Sequence, residues 1–107
     1  MVEESIQIAV RDYLRAAWKT GIHARCGVIF GSHARGEAHE WSDIDLIVVA
    51  PELDNLTDCH LISKLWELRA ITDSRIEPIP CGEREWETES SRPIIESARR
   101  EGIIIAA

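Results

Sequence analysis

Two aspartates separated by one residue are the side chains of this chain best suited to chemistry. Asp43 and Asp45 open an apolar run that ends at Val49. In a β-strand both carboxylates point to one face, roughly 6.5–7 Å apart along the backbone, while Ile44 points to the other. Carboxylate oxygens are the ligands that Mg²⁺ prefers. The pair therefore predicts a divalent metal site at the start of a strand.

A turn of small residues precedes this pair and is typical of a phosphate site. The apolar run Cys26–Phe30 predicts a buried strand, and Gly31 and Ser32 end it. Backbone N–H groups exposed in such a turn, together with a serine hydroxyl, favour a bound anion such as a triphosphate. Ser32 is expected both to cap a short helix and to bind phosphate.

The link between the two runs indicates how they meet. It extends from Ser32 to Ser42, which is shorter than the roughly dozen or more residues that a parallel crossover needs. The strands are therefore expected to be antiparallel, and the turn then lies beside the aspartate pair in one site. Within the link, Arg35 is expected to add positive charge to that site, the alternative being a surface ion pair with Glu37 or Glu40.

Two well-known motifs are excluded by their spacing. Gly31 and Gly36 match the glycines of a P-loop, but Glu37 stands where that loop requires lysine. An EF-hand loop that begins at Asp43 would need a further oxygen ligand and then glycine, where this chain continues its apolar run. Neither a P-loop nor an EF-hand explains the motif.

These residues together resemble the nucleotidyltransferase superfamily that includes DNA polymerase beta, and in particular its smallest members, the minimal nucleotidyltransferases. The family pattern is Gly-Ser, then Arg-Gly after a few residues, a short spacer, and Ser-Asp-x-Asp leading into an apolar strand. This chain has every part of it between Gly31 and Val49. The resemblance implies an α/β (α+β) nucleotidyltransferase fold, with a mixed β-sheet of three to four strands flanked by helices.

The resemblance also assigns roles to individual residues. It implies that the nucleotide is bound by Gly31, Ser32, Arg35 and Ser42. It implies that two Mg²⁺ ions are held by Asp43, Asp45 and a third acid on a later strand. The matching position is Glu77, which would also position or deprotonate the acceptor. Pro78 beside it departs from the pattern, because proline suits only an edge strand or a bulge.

The function implied by the resemblance is transfer of a nucleoside monophosphate, with AMP from ATP expected, to a hydroxyl acceptor with release of pyrophosphate. Minimal family members typically pair with a small helical HEPN protein, and several pairs are toxin–antitoxin systems in which the nucleotidyltransferase modifies the toxin. Two alternatives stay open: a non-catalytic binding module of the same fold, and a nucleotidyltransferase that acts on a small molecule. A homo- or hetero-oligomer is compatible with each of them.

The length and net charge of the chain limit the kinds of partner that it is expected to bind. At 107 residues the chain is expected to form one domain, 1–107, without room for a second domain that holds the acceptor. Because 12 Lys and Arg stand against 19 Asp and Glu, the net charge is −7, and nucleic acid is an improbable acceptor. No apolar run approaches the roughly 18 residues of a membrane span, and no signal sequence is recognised, so a cytoplasmic location is expected.

The elements that would position the site alternate as helix, strand, short helix, strand, helix, strand, helix, strand. Apolar residues at helical spacing predict three longer helices: 3–19, from Asn55 or Thr57 to Ile71, and 92–101. The final residues, 103–107, are expected to add an edge strand or to dock on a partner.

Overall fold

A mixed four-stranded sheet with helices on both faces forms the body of the protein. The computed structural model describes residues 3–38, 42–54, 59–88 and 92–107. In chain order the elements are α1 (Glu4–Lys19), β1 (Cys26–Phe30), α2 (Ser32–Arg35), β2 (Ile44–Ala50), α3 (Cys59–Glu67), β3 (Ile76–Gly82), α4 (Glu83–Glu87), α5 (Pro93–Glu101) and β4 (Ile103–Ala106). Short 3₁₀ helices follow β2 at Pro51–Asp54 and α3 at Leu68–Ile71. The expected α/β class, with three to four strands flanked by helices, is confirmed.

The strands lie in the order β3-β2-β1-β4. β1 is antiparallel to β2, as predicted from the short link, and also antiparallel to β4. β2 and β3 are parallel, and the crossover between them contains α3. β4 is an edge strand, which confirms the expectation for the last residues. β3 is the other edge, where Pro78 and Pro80 remove no hydrogen bond to an outer neighbour.

Helix α1 covers one face of the sheet because its apolar side chains repeat every three or four residues. The buried residues of α1 are Ile6, Val10, Tyr13, Leu14 and Ala17. They pack against the strand residues of this face, among them Ile29, Ile44, Leu46, Val48 and Ile105. The Tyr13 hydroxyl donates a hydrogen bond to the carbonyl oxygen of Leu65, and burial raises the pKa of Tyr13. Helices α1 and α3 are therefore joined within the core.

Helix α5 covers part of the opposite face. Its buried residues Ile95 and Ala98 share a cluster with Val28, Ile47, Val49 and Cys81 of the strands. Because side chains alternate along β2, Asp45 belongs to this second face, just before the strand enters the cluster. The face is therefore apolar under α5 and acidic at the end where β2 begins.

The predicted helices are largely present. The first and last agree with α1 and α5 to within one residue at each end. The third is shorter than predicted, since α3 ends at Glu67 and a 3₁₀ turn continues to Ile71. Its predicted start, at Asn55 or Thr57, lies outside the described residues. Among the helices in the described ranges, none is both long and apolar enough to cross a bilayer.

Helix α4 is an addition to the predicted order of elements. Its sequence has no apolar period, and besides the packing of Trp86 against the cluster under α5, ion pairs from outside the helix hold it in place. Arg25 contacts Glu83 and Glu87, while Arg92 binds Glu85 through two nitrogens. That hydrogen bonding holds the pKa of the Glu85 carboxyl below its usual range.

Candidate functional site

The turn after β1 is shaped by glycine rather than by a serine cap. Gly31 has φ 72° and ψ −145°, a conformation that side chains disfavour, and it occupies the position before α2. Ser32 is the first residue of the helix, and no side chain caps it. The expectation that Ser32 caps the helix is therefore wrong, because Gly31 takes that position to let the chain turn. The Ser32 side chain is half-buried at the turn.

Three strand ends meet at this edge of the sheet. The register pairs Phe30 at the end of β1 with Asp45 near the start of β2. The parallel register pairs Asp45 with Glu77 near the start of β3. Asp45 and Glu77 therefore share one face on neighbouring strands, and Asp43 lies directly before β2, exposed to solvent. Pro78 does not disturb this register because β3 is an edge strand.

The two aspartates affect the pKa of Glu77. Burial raises the pKa of Glu77 first, and the negative charges of Asp43 and Asp45 and hydrogen bonding with their carboxyls raise it further. Each of these effects disfavours an additional negative charge at this edge. Glu77 therefore lies close enough to Asp43 and Asp45 for their charges to act on it.

Oxygen donors of this kind fit a hard divalent cation such as Mg²⁺. Within the residues that the structure describes, however, no three acidic, histidine or cysteine side chains converge on one point as a ready ligand set. The register brings Asp45 and Glu77 to one edge, whereas a ligand set also requires that the carboxylates aim at one point. The donor chemistry thus suits a divalent ion, but the described side chains do not form its ligand set in this structure.

Gly31 and Asp45 join the turn to the acidic edge. A Cβ atom built on Gly31 would overlap the Oδ2 atom of Asp45. Only glycine can thus bring the backbone this close to the carboxylate. The close approach places the backbone of the turn against the carboxylate of Asp45.

Arg35, the arginine of α2, has a largely exposed side chain. The Nε atom of Arg35 lies 3.3 Å from a carboxylate oxygen of Glu37, and both side chains are more than half exposed. This ion pair was the alternative to a phosphate contact, and such exposed pairs contribute little to stability. The other alternative partner, Glu40, lies outside the described residues. A phosphate contact by Arg35 stays a prediction.

Ser42 lies at the same edge. It is half-buried immediately before Asp43, and its carbonyl oxygen is 3.4 Å from the Nε2 atom of His33 in α2. This contact links the turn to the segment that carries the aspartates. A role of Ser42 in nucleotide binding stays a prediction.

One ion pair near the acids was not foreseen. Arg75, just before β3, donates from Nε and Nη2 to the two carboxylate oxygens of Asp73, at 3.0 and 2.7 Å. Hydrogen bonding from Arg75 holds the pKa of the Asp73 carboxyl below its usual range, and the charge of His33 adds to the effect. The sequence contains a signal for the turn, since an aspartate often accepts a hydrogen bond from the backbone N–H two residues later, here that of Arg75.

Comparison with solved structures shows which fold the chain has. A provisionally assigned nucleotidyltransferase from Sulfolobus solfataricus superposes with a TM-score of 0.61 and 17% identity, over 92% of this chain and 77% of the other. A chain of a toxin–antitoxin structure with AMP-PNP superposes with a TM-score of 0.56 and 24% identity, over 92% and 71%. At these identities the likeness shows a shared fold, that of nucleotidyltransferases.

Sequence comparison identifies the family. The model of the nucleotidyltransferase domain matches residues 10–100. The chain therefore belongs to the nucleotidyltransferase domain family, as the resemblance of the motif indicated. No curated protein matched the chain.

Replacing Glu77 with glutamine is expected to raise the melting temperature when divalent ions are absent. The substitution removes one of two acids that face each other across β2 and β3, and like charges at such positions cost roughly 0.2–1 kcal/mol. For a domain of this size the gain corresponds to about 1–8 °C. Thermal unfolding in EDTA measures the change, with the exposed Glu67→Gln as the matched control. A melting temperature equal to or below that of the wild type would contradict the repulsion.

Proposed function

We propose that this protein transfers AMP from ATP to a hydroxyl group of a small helical HEPN-type partner protein, and so acts as its antitoxin. One observation carries the proposal: the register places Asp45 opposite Glu77, beside the backbone of Gly31. A phosphate turn and a set of carboxylates on one edge are the parts that nucleotidyl transfer needs. Membership of the nucleotidyltransferase domain family supports this use of the edge.

Different residues at this edge of the sheet would bind the phosphates and the metal ions. Ser32 and the backbone amides of the turn would hold the terminal phosphates of the nucleotide. Asp43, Asp45 and Glu77 would hold two Mg²⁺ ions. Bound there, the ions supply positive charge that stabilises the attacking and leaving oxygens of an in-line displacement. The remaining catalysis comes from positioning and from fixed dipoles around the nucleotide.

Glu77 is the residue we assign to the acceptor proton. The acceptor oxygen forms a bond to the α-phosphorus, and the bond from that phosphorus to the bridging oxygen of pyrophosphate breaks. The proton of the acceptor hydroxyl passes to the Glu77 carboxylate, and pyrophosphate leaves. The parallel register supports this role, since Glu77 lies opposite Asp45 at the edge where nucleotide and acceptor would meet.

Charge and the structural comparison support a protein acceptor. A surface with net charge −7 repels a nucleic acid backbone. One of the similar structures is a toxin–antitoxin assembly with AMP-PNP. The rival functions are a binding module that neutralises the partner without chemistry, and transfer to a small molecule.

Protection of cells separates catalysis from binding. Cells that express the HEPN-type partner are expected to survive with the wild-type protein and to die with the double variant Asp43→Asn and Asp45→Asn. The variant loses two carboxylates while the partner-binding surface stays intact, which co-purification of the complex would verify. Protection by the double variant at equal expression would favour the binding module over the enzyme.

A further inference from the structure

The ion pair between Asp73 and Arg75 is reinforced by backbone hydrogen bonds. Besides the two guanidinium contacts, the backbone N–H of Arg75 donates to Oδ1 of Asp73 at 2.9 Å. The backbone N–H of Ile76 donates to the carbonyl oxygen of Asp73 at 3.1 Å. The Asp73 side chain is only 19% exposed, so solvent screens the pair weakly. These contacts fix the conformation of the turn that directly precedes β3.

This turn is also bonded to the strand that carries the aspartates. The backbone N–H of Ile44 donates to the carbonyl oxygen of Arg75 at 2.8 Å. Ile44 stands between Asp43 and Asp45, and Arg75 precedes Glu77 by two residues. The hydrogen bond is therefore a cross-strand link beside all three carboxylates.

The start of β2 and β3 needs such a link for two reasons. No tight turn sets the register of these strands, because the whole segment from Pro51 to Arg75 separates them. The acids on the two strands repel each other at this end, and that repulsion favours separation of the strands. A rigid turn bonded across the strands opposes the separation.

We propose that Asp73 and Arg75 are positioning residues, whose ion pair holds the first residues of β2 and β3 together so that the carboxylates can share metal ions. The inference rests on the proposed function, since it concerns the same acidic edge. Arg75 acts here through its backbone carbonyl and its bond to Asp73. Neither residue has to touch the nucleotide for this role.

Two substitutions of different severity test the proposal. Asp73→Asn keeps an oxygen that can accept the Arg75 N–H bond but loses the charge of the pair. Arg75→Lys keeps the charge but loses the two-point contact. For each variant we would measure the melting temperature without metal, and the Mg²⁺ concentration that gives half of the maximal rise in melting temperature. The expected result is a rise of about tenfold in that concentration, as is typical when groups that orient metal ligands are removed.

The matched control breaks an ion pair of the same geometry, that between Glu85 and Arg92. Glu85, within α4 and away from the strand starts, accepts from Nε and Nη2 of Arg92 at 2.7 and 2.8 Å with the same two-point geometry. Glu85→Gln is expected to lower the melting temperature without changing the Mg²⁺ concentration for half effect. If the Asp73 and Arg75 variants lose stability in the same way and bind Mg²⁺ as the wild type does, the pair is merely structural and the proposal is wrong.

A further variant separates failure of this inference from failure of the proposed function. Asp45→Asn is expected to abolish the effect of Mg²⁺ on the melting temperature. If it does so while Asp73→Asn retains the full effect, the function stands and the positioning role falls. If Mg²⁺ has no effect on the wild-type protein even with ATP present, the metal-dependent function falls, and the positioning role falls with it.

Discussion

Replacing Asp45 with asparagine is expected to lower the rate of nucleotide transfer by at least about a hundredfold. The substitution removes a carboxylate that faces Glu77 across the sheet and lies against the backbone of Gly31. Loss of groups that merely orient metal ligands already costs roughly 10–100-fold, so loss of a ligand should cost at least as much. Transfer of label from nucleotide to partner under saturating Mg²⁺ measures the rate.

The control for Asp45→Asn removes the same charge from a different surface. Asp12 on α1 is exposed and only 3.9 Å from Arg15 in a weak ion pair. Asp12→Asn is expected to transfer nucleotide at the wild-type rate. A transfer rate of Asp45→Asn within about threefold of this control would exclude the carboxylate from the reaction.

Replacing Gly31 with alanine is expected to remove activity and stability together. The new Cβ would overlap the Oδ2 atom of Asp45, in a backbone conformation with positive φ that alanine disfavours. Strain of this kind costs roughly 1–3 kcal/mol, or about 4–20 °C in melting temperature. Because the overlap displaces Asp45 itself, transfer should fall at least about tenfold even below the melting transition.

Gly21 supplies the matched control for Gly31. It also has positive φ, 96°, but a Cβ atom there would meet no atom within 4 Å. Gly21→Ala is therefore expected to lower the melting temperature through backbone strain while transfer stays at the wild-type rate. Equal activity of the Gly21 and Gly31 variants would show that the contact with Asp45 does not position the carboxylate.

Those parts of the site that lie close together in the chain could be predicted from the sequence. Strands β1 and β2 were predicted from two apolar runs, and their antiparallel pairing followed from a short link. Alternation along β2 correctly separated Ile44 from Asp45 because strand geometry allows no other arrangement. The family resemblance then identified Glu77 as the candidate third acid.

The remaining features depend on contacts that the sequence pattern does not encode. The parallel pairing of Asp45 with Glu77 joins strands far apart in the chain, where no turn length limits the register. Helix α4 is held by ion pairs with arginines and by the single apolar side chain of Trp86, so a search for apolar periodicity misses it. The serine cap was expected from residue preference, but the turn required positive φ, which only Gly31 provides at low cost.

The intact mass of the HEPN-type partner, after incubation with this protein, ATP and Mg²⁺, tests the central claim most directly. The double variant Asp43→Asn and Asp45→Asn serves as the control. We predict that the partner gains the mass of one or more AMP units with the wild-type protein and none with the variant. A stable complex in which the partner gains no mass, with any of the four nucleoside triphosphates, would contradict the proposed transfer and favour a binding module.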